Sequence, residues 1–455
     1  MLERVILFNV HCVLDLFFYR IPRWIRALLV KLPVTLWQLI TGRRPLTYVP
    51  STERHIAVIT SQSNPAAGEK VMRLFGLSKS MTYNGPLYSG HIHTVIGCAR
   101  TSHRVAYERE LLKAEDTNPI CLDWLRVPAG SDAKGIILLI PGLGNYGQSN
   151  YIQRFARFAV QHGYHVCLLT PRGMGSAPLT TPNITCVTFT SDIRHILRHR
   201  LQRDMIMAEF GAALPLFAVG YSCGSSTLVK CVAEETQAHK ASNNTLYKTG
   251  FPIEAVLSMI APNDMHASTE VLQTRIGTLL YAKPIFSALC KYLRKHSKTL
   301  QSASEGKTEE EKQQLALLHT DFEAAMKLIQ DLKDIDVHVV APHFGYADRF
   351  AYYKDGNLLQ YVEKIHNVPV LCFNTRDDPI VGYAVSHAAW QATCDLNCNA
   401  VYVEVPSGGH FGFVQTPLQE WSRPFSYLQT FPLTALDSVV TSLQRKKQQQ
   451  EPSGV

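Results

Sequence analysis

Cysteine is sparse in this chain: 11 in 455 residues, an odd number, with no C-x-x-C pair. A disulfide scaffold is excluded on that count. The nearest pair, Cys394 and Cys398, has no His-rich segment to complete a ligand set, so no metal site is expected. Charge is scarce too, 18% of residues against 46% hydrophobic, which excludes a largely disordered protein. The 27 Gly and 24 Pro follow no period and exclude a collagen-like or low-complexity architecture, and no internal repeat is present. The length is ample for a sizeable core in one large or two ordinary domains.

No long apolar run is free of polar interruption. Residues 5–19 (VILFNVHCVLDLFFY) contain Asn9, His11 and Asp15, each costly in hydrocarbon, and lack the flanks of a cleaved signal peptide. What is there is a basic, apolar terminus. Residues 1–50 hold seven Lys/Arg against two acids, much of the +8 net charge of the chain, interleaved with Trp24, Leu28, Leu29, Leu36 and Trp37. That composition is expected of an interfacial amphipathic segment, broken by Pro22 and Pro33. Residues 1–50 are therefore expected to engage a membrane surface, an endomembrane such as the endoplasmic reticulum included. With the basic excess concentrated there, and not spread over a folded face, nucleic acid is not expected as a partner.

Beyond about residue 95 the pattern becomes alternating β and α. A hairpin-like stretch at 103–127 precedes short apolar strands at 135–141, 165–171, 214–221, 255–262, 368–374 and 400–405, with helical patterns at 149–163, 190–204 and 225–236. Strands alternating with helices imply a mostly parallel sheet covered on both faces. About a hundred residues, 263–366, separate two of those strands as a mostly helical insert placed to cap a site. Its polar part, Ser302–Gln314, reads as a solvated segment, and the tail 445–455 reads as disordered. The expected organisation is a terminal segment 1–50, a catalytic domain 51–444 and the tail.

The sharpest chemical signal is Gly220-Tyr221-Ser222-Cys223-Gly224, a G-x-S-x-G sequence between the strand LPLFAV and a helical run. A nucleophile on a strained strand-to-helix turn needs small neighbours, and it is the flanking elements that lift so short a pattern above coincidence. A serine nucleophile needs a base, and the base an orienting acid. The strand VPVLCFN ends in Asp377-Asp378-Pro379, and the next ends in Gly408-Gly409-His410. The order Ser222, Asp378, His410 is that of α/β-hydrolases, and Asp378 is preferred to Asp377 because it opens the run D-P-I-V. The loop Gly142–Gly147, after the strand GIILLIP, nominates the Leu143 N–H, with that of Cys223, as oxyanion donors. That loop lacks the G-K-[ST] ending of a phosphate cradle, and no cofactor is expected.

With these pieces in place the chain resembles the α/β-hydrolase-domain esterases and lipases of the YheT-like group, whose eukaryotic members include membrane-anchored phospholipases and monoacylglycerol lipases. The resemblance covers about residues 85–430. It rests on the elbow and on Gly90-His91-Ile92-His93-Thr94, Leu122-Asp123-Trp124, Arg172-Gly173-Met174-Gly175-Ser176, Ala341–Tyr346 and Tyr352-Tyr353. It implies Ser222 as nucleophile, Asp378 as acid and His410 as base. The chain departs from the family at Gly144-Asn145-Tyr146, where Gly and Thr are usual, and at Ser225-Ser226, where the family has a further Gly. The pair His343 and Asp348, an H-x-x-x-x-D pattern, reads as coincidence in a chain of 18 His.

The expectation is a serine hydrolase cleaving carboxylic esters of lipids, acylglycerol or phospholipid, through an acyl-enzyme, with no obligate protein partner. The alternatives are an acyltransferase on the same residues and a non-catalytic binding protein of the same fold.

Overall fold

Along β4 (Gly135–Ile140) alternate side chains part company: Ile136, Leu138 and Ile140 enter one apolar core, Ile137 and Leu139 another. A strand of period two buried on both faces must do this, and it makes the sheet the partition between two cores. The computed structural model describes residues 54–100, 102–365, 367–382, 385–416, 419 and 425–450.

Nine strands form one sheet in the order β1-β9-β8-β7-β6-β4-β5-β3-β2. The strands are β1 (Ala57–Ile59), β2 (Glu108–Lys113), β3 (Pro119–Leu125), β4, β5 (Tyr164–Thr170), β6 (Leu216–Tyr221), β7 (Ile253–Met259), β8 (Val370–Thr375) and β9 (Ala400–Val405). The six from β4 to β9 run parallel to one another. The expected hairpin is β2–β3, and it joins the sheet antiparallel to β5. β1 was not legible in the sequence: three residues pair antiparallel with β9, and their partners lie some 340 positions away.

The helices Asn150–Gln161 and Cys223–Ala241 lie where the pattern places them. The pattern at 190–204 is two helices, Ser191–His199 and Arg203–Phe210, separated at a fully buried Leu201. Between β7 and β8 the insert is helical, with Met265–Leu272, Lys283–Lys295, Phe322–Leu328 and Arg349–Gly356 as its longer pieces. It has its own core, including Leu293, Leu318, Phe322 and Val339.

The stretch Ser302–Gln314 is largely exposed, as a solvated segment should be, and Thr308 and Glu311 form a capping box that starts the helix Glu309–Gln313. Two expectations are corrected. Residues 445–450 are not a disordered tail but the last turns of the helix Tyr427–Gln450, built from Lys, Arg and Gln, which are good helix formers. Membrane residence is corrected as well: among the described residues no helix is long and apolar enough to cross a membrane. The two longest helices carry Lys230, Glu234, Glu235 and Lys240, and Asp437, Arg445, Lys446 and Lys447, charges that a span does not tolerate. The segment 1–50, on which that expectation rested, lies outside the described residues.

Candidate active site

The turn between β6 and the helix Cys223–Ala241 is a single residue, Ser222, held at φ 51° and ψ −131°. A non-glycine residue with positive φ is strained, and the surrounding bonds hold it there. The Ser222 N–H donates to the Met259 carbonyl at 2.9 Å, and the Ser225 N–H donates to the Ser222 carbonyl at 2.8 Å. The Ser225 hydroxyl in turn accepts the Met259 N–H at 3.0 Å, so the serine that replaces the usual glycine ties helix to strand. The flanking glycines have no alternative. A Cβ on Gly224 would come within 2.2 Å of the Pro141 carbonyl oxygen, and one on Gly220 within 2.6 Å of Ser225 Cα.

Asp378 and His410 follow β8 and β9, neighbouring parallel strands, so their loops emerge at the same sheet edge. His410 Nδ1 lies 2.8 Å from Asp378 Oδ2, and both residues are buried. The other carboxylate oxygen accepts the N–H groups of Ile380 (2.8 Å) and Val381 (3.0 Å). Those bonds fix the carboxylate plane, so the imidazole donates through Nδ1 and leaves Nε2 as its acceptor nitrogen.

Asp377 does something else. Its Oδ1 accepts the N–H groups of Gly408 (3.0 Å) and Gly409 (2.9 Å), and the Ser407 hydroxyl donates to Oδ2 at 2.9 Å. Burial, the largest influence, pushes this carboxyl up to about 7 against the pull of those donors.

The Gly90–Thr94 segment opens the helix Gly90–Ala99 and holds the histidine turn from the other side. Thr94 Oγ1 accepts the His410 N–H at 2.8 Å. His93 Nδ1 accepts the Val414 N–H at 2.9 Å, which leaves Nε2–H to face Ser407 Oγ at 3.0 Å. Gly90 is required because a Cβ there would sit 1.6 Å from the Asp377 carbonyl oxygen.

Ser222, His410, Leu143 and Cys223 all line one cavity of about 660 Å³, a size suited to a small organic ligand. Its walls are mainly apolar, with Ile184, Val187, Phe189, Met265, Leu289 and Val339 among them, so the helical insert closes the space above the sheet. Burial pushes the Cys223 thiol up to about 11, opposed by the Ser222 side chain and by the backbone groups of Leu143 and Cys223. A backbone group that favours a thiolate does so through its N–H, so the Leu143 amide is near the Cys223 side chain. Leu143 is 43% exposed, at the open side of the cavity it lines.

Tyr151 was missed in the sequence. Its hydroxyl accepts the Gly142 N–H at 2.9 Å, while its ring stacks on Phe411 at 4.2 Å, the residue after His410. One side chain thereby positions both the Gly142 loop and the histidine turn. A tyrosine near the start of an amphipathic helix carries no sequence signal for that role. His343 and Asp348 have separate local partners: His343 Nδ1 lies 2.7 Å from His319 Nε2, and Asp348 caps the helix Arg349–Gly356. Among the described residues no group of three metal-ligating side chains comes together.

No protein-family model matches the chain. Curated relatives do. Phospholipase ABHD3 of Mus musculus is 24% identical over 329 residues, covering 71% of this chain and 70% of its own. Monoacylglycerol lipase ABHD2 of Bos taurus is 24% identical over 364 residues, 77% of this chain and 76% of its own. Among solved structures, a soluble variant of monoglyceride lipase from Saccharomyces cerevisiae aligns over 76% of this chain and 97% of its own, at 14% identity and a TM-score of 0.40. The mostly parallel nine-stranded sheet, with a serine at its strand-to-helix turn, is an α/β-hydrolase fold, and the chain is similar over some three quarters of its length to a phospholipase and a monoacylglycerol lipase.

Proposed function

We propose that the protein hydrolyses carboxylic esters of lipids, with Ser222 as nucleophile, His410 as general base and Asp378 as the acid that orients it. The observation that carries this reading is the 2.8 Å contact of His410 Nδ1 with Asp378 Oδ2 at the edge of an apolar cavity that also holds Ser222. His410 Nε2 takes the Ser222 proton as Oγ attacks the ester carbonyl, and Asp378 stabilises the imidazolium. The Leu143 and Cys223 N–H groups stabilise the oxyanion, the alkoxide leaves with the proton from His410, and water attacks the acyl-enzyme in a second cycle. In this reading the hydrolytic unit spans 51–444 and the insert 263–366 is its cap.

The apolar cavity and the names of the relatives, phospholipase and monoacylglycerol lipase, support a lipid ester as substrate class. The test is hydrolysis of a panel of acylglycerols and phospholipids together with labelling by a fluorophosphonate probe. Wild type is expected to label once per chain and to hydrolyse members of the panel. Ser222→Ala is expected to do neither while keeping its far-UV circular dichroism. Stoichiometric labelling of the alanine variant overturns the assignment.

A further inference from the structure

Among the described residues lining the cavity, the carboxyl groups are those of Asp192 and Asp336. Asp192 is spoken for: Arg172 donates to both its oxygens, at 2.9 and 2.6 Å. Asp336 is different. It opens a short π-helical turn, Asp336–Val340, in the insert, and Tyr353 donates its hydroxyl to Oδ2 at 2.7 Å. A π-turn inserts an extra residue and re-aims the side chains around it, a distortion often found at functional sites.

Asp336 lines the same cavity as Ser222, Cys223 and His410. Its negative charge bears on the Cys223 thiol and the Tyr352 hydroxyl, raising both. Burial pushes its own carboxyl up to about 6, so the group stays largely ionised at neutral pH in mainly apolar surroundings. A carboxylate offers about four acceptor positions, and Tyr353 fills one. Asp336 is partly buried and lines the cavity, so a ligand that displaces water from its open acceptor positions is favoured if it brings a donor of its own. Arg349 lies close enough to offset part of the charge, with Asp331 opposing it. What the site lacks is therefore a hydrogen-bond donor more than a counter-ion, which favours a neutral hydroxyl over an ammonium group.

Resting on the esterase reading above, we infer that Asp336 is a specificity-determining residue that accepts a hydrogen bond from a free hydroxyl on the alcohol portion of the substrate. The chemical class selected is a partial ester of a polyol, over the ester of the corresponding simple alcohol.

The test compares monooctanoylglycerol with propyl octanoate, which has the same acyl group and the same three-carbon alcohol skeleton without the two hydroxyls. For Asp336→Ala the ratio of kcat/KM for the glyceryl over the propyl ester is expected to fall about tenfold or more, the loss typical of a hydrogen bond to a charged group. Propyl octanoate turnover is expected to stay within about twofold of wild type, as for a residue that touches only the missing hydroxyl. Asp336→Asn, which keeps one acceptor oxygen, is expected to lose less. An equal fall on both esters, or an unchanged ratio, overturns the inference, as does a loss confined to the choline ester of octanoic acid. If wild type hydrolyses neither ester and no member of the acylglycerol and phospholipid panel, the esterase reading fails on its own. The relative Kd of octyl glyceryl ether and octyl propyl ether for wild type and Asp336→Ala then decides the role of Asp336 without turnover.

Discussion

The carboxyl groups of Asp377 and Asp378, adjacent in the chain, serve different partners: Asp378 Oδ2 meets His410 Nδ1 at 2.8 Å, while Asp377 Oδ1 gathers the N–H groups of Gly408 and Gly409. Successive residues leaving a strand point opposite ways, so one carboxyl reaches the imidazole and the other braces the turn that presents it. The two substitutions to asparagine should therefore differ in kind. Asp378→Asn takes away the acceptor that sets the imidazole tautomer, and kcat is expected to fall by on the order of 10⁴. In Asp377→Asn the amide oxygen still accepts both N–H groups and the amide nitrogen can donate to Ser407, so kcat is expected to fall about tenfold at most. Steady-state kinetics on one soluble ester decides between them, and reversed effects would show that the carboxyls had been assigned the wrong way round.

Tyr151→Phe keeps the stack on Phe411 and removes only the hydroxyl that accepts the Gly142 N–H. The Gly142–Leu143 backbone then loses its anchor, and kcat is expected to fall about tenfold with little change in KM, as for a group that positions an oxyanion donor. Unaltered kcat in this variant would remove Tyr151 from the positioning of the loop.

Acid is expected to loosen the cap through a histidine pair. His319 Nδ1 lies 2.7 Å from the Leu300 carbonyl, so it carries the proton and Nε2 accepts from His343 Nδ1–H. Burial lowers the His343 pKa to about 4, with His319 adding to the effect, and burial lowers His319 too. Folded pKa values below the unfolded ones mean that the unfolded chain binds protons first. Stability from this pair is full above about pH 6.5 and is lost as pH falls toward about 4, by on the order of 2 kcal/mol. Asp377 acts with the opposite sign: its raised carboxyl contributes stability at low pH that is lost as pH rises through about 7. The informative quantity is thus the difference between wild type and His343→Phe in urea unfolding at about pH 7.5 and about pH 5. A smaller acid loss in the variant is expected, and identical losses would sink the assignment.

Two glycine substitutions separate crowding from backbone strain. Gly90→Ala drives a Cβ to 1.6 Å from the Asp377 carbonyl oxygen, backbone against backbone, and is expected to cost about 3 kcal/mol or more. Gly144→Ala meets nothing within 4 Å but keeps a φ of +71°, and is expected to cost about 1 kcal/mol. Chemical denaturation of both measures the gap. Equal costs would mean that the Gly90 helix does not need its close approach to the Asp377 loop.

The sequence by itself determined the strand–helix alternation, the mostly parallel sheet and the candidate residues Ser222, Asp378 and His410, because each depends on short-range pattern. Apolar runs of six or seven residues make doubly covered strands, and small residues around a serine mark a tight turn. The acid and histidine were legible as residues directly after two such strands. Only the tertiary structure decided what is non-local. Whether Asp377 or Asp378 meets the imidazole depends on side-chain direction at a strand end. Tyr151, Thr94 and His93 acquire their roles from loops that fold back over 250 to 320 positions, or across the sheet, to reach them. β1 escapes notice because three residues have no pattern until β9 offers a pairing edge. The terminal run of Lys and Gln looked disordered by composition, yet it continues a helix whose earlier turns bury Leu436 and Val439 against the sheet. Asp336 shows the limit most clearly: an aspartate in a helical insert is unremarkable in sequence, and its character comes from the cavity that the fold closes around it.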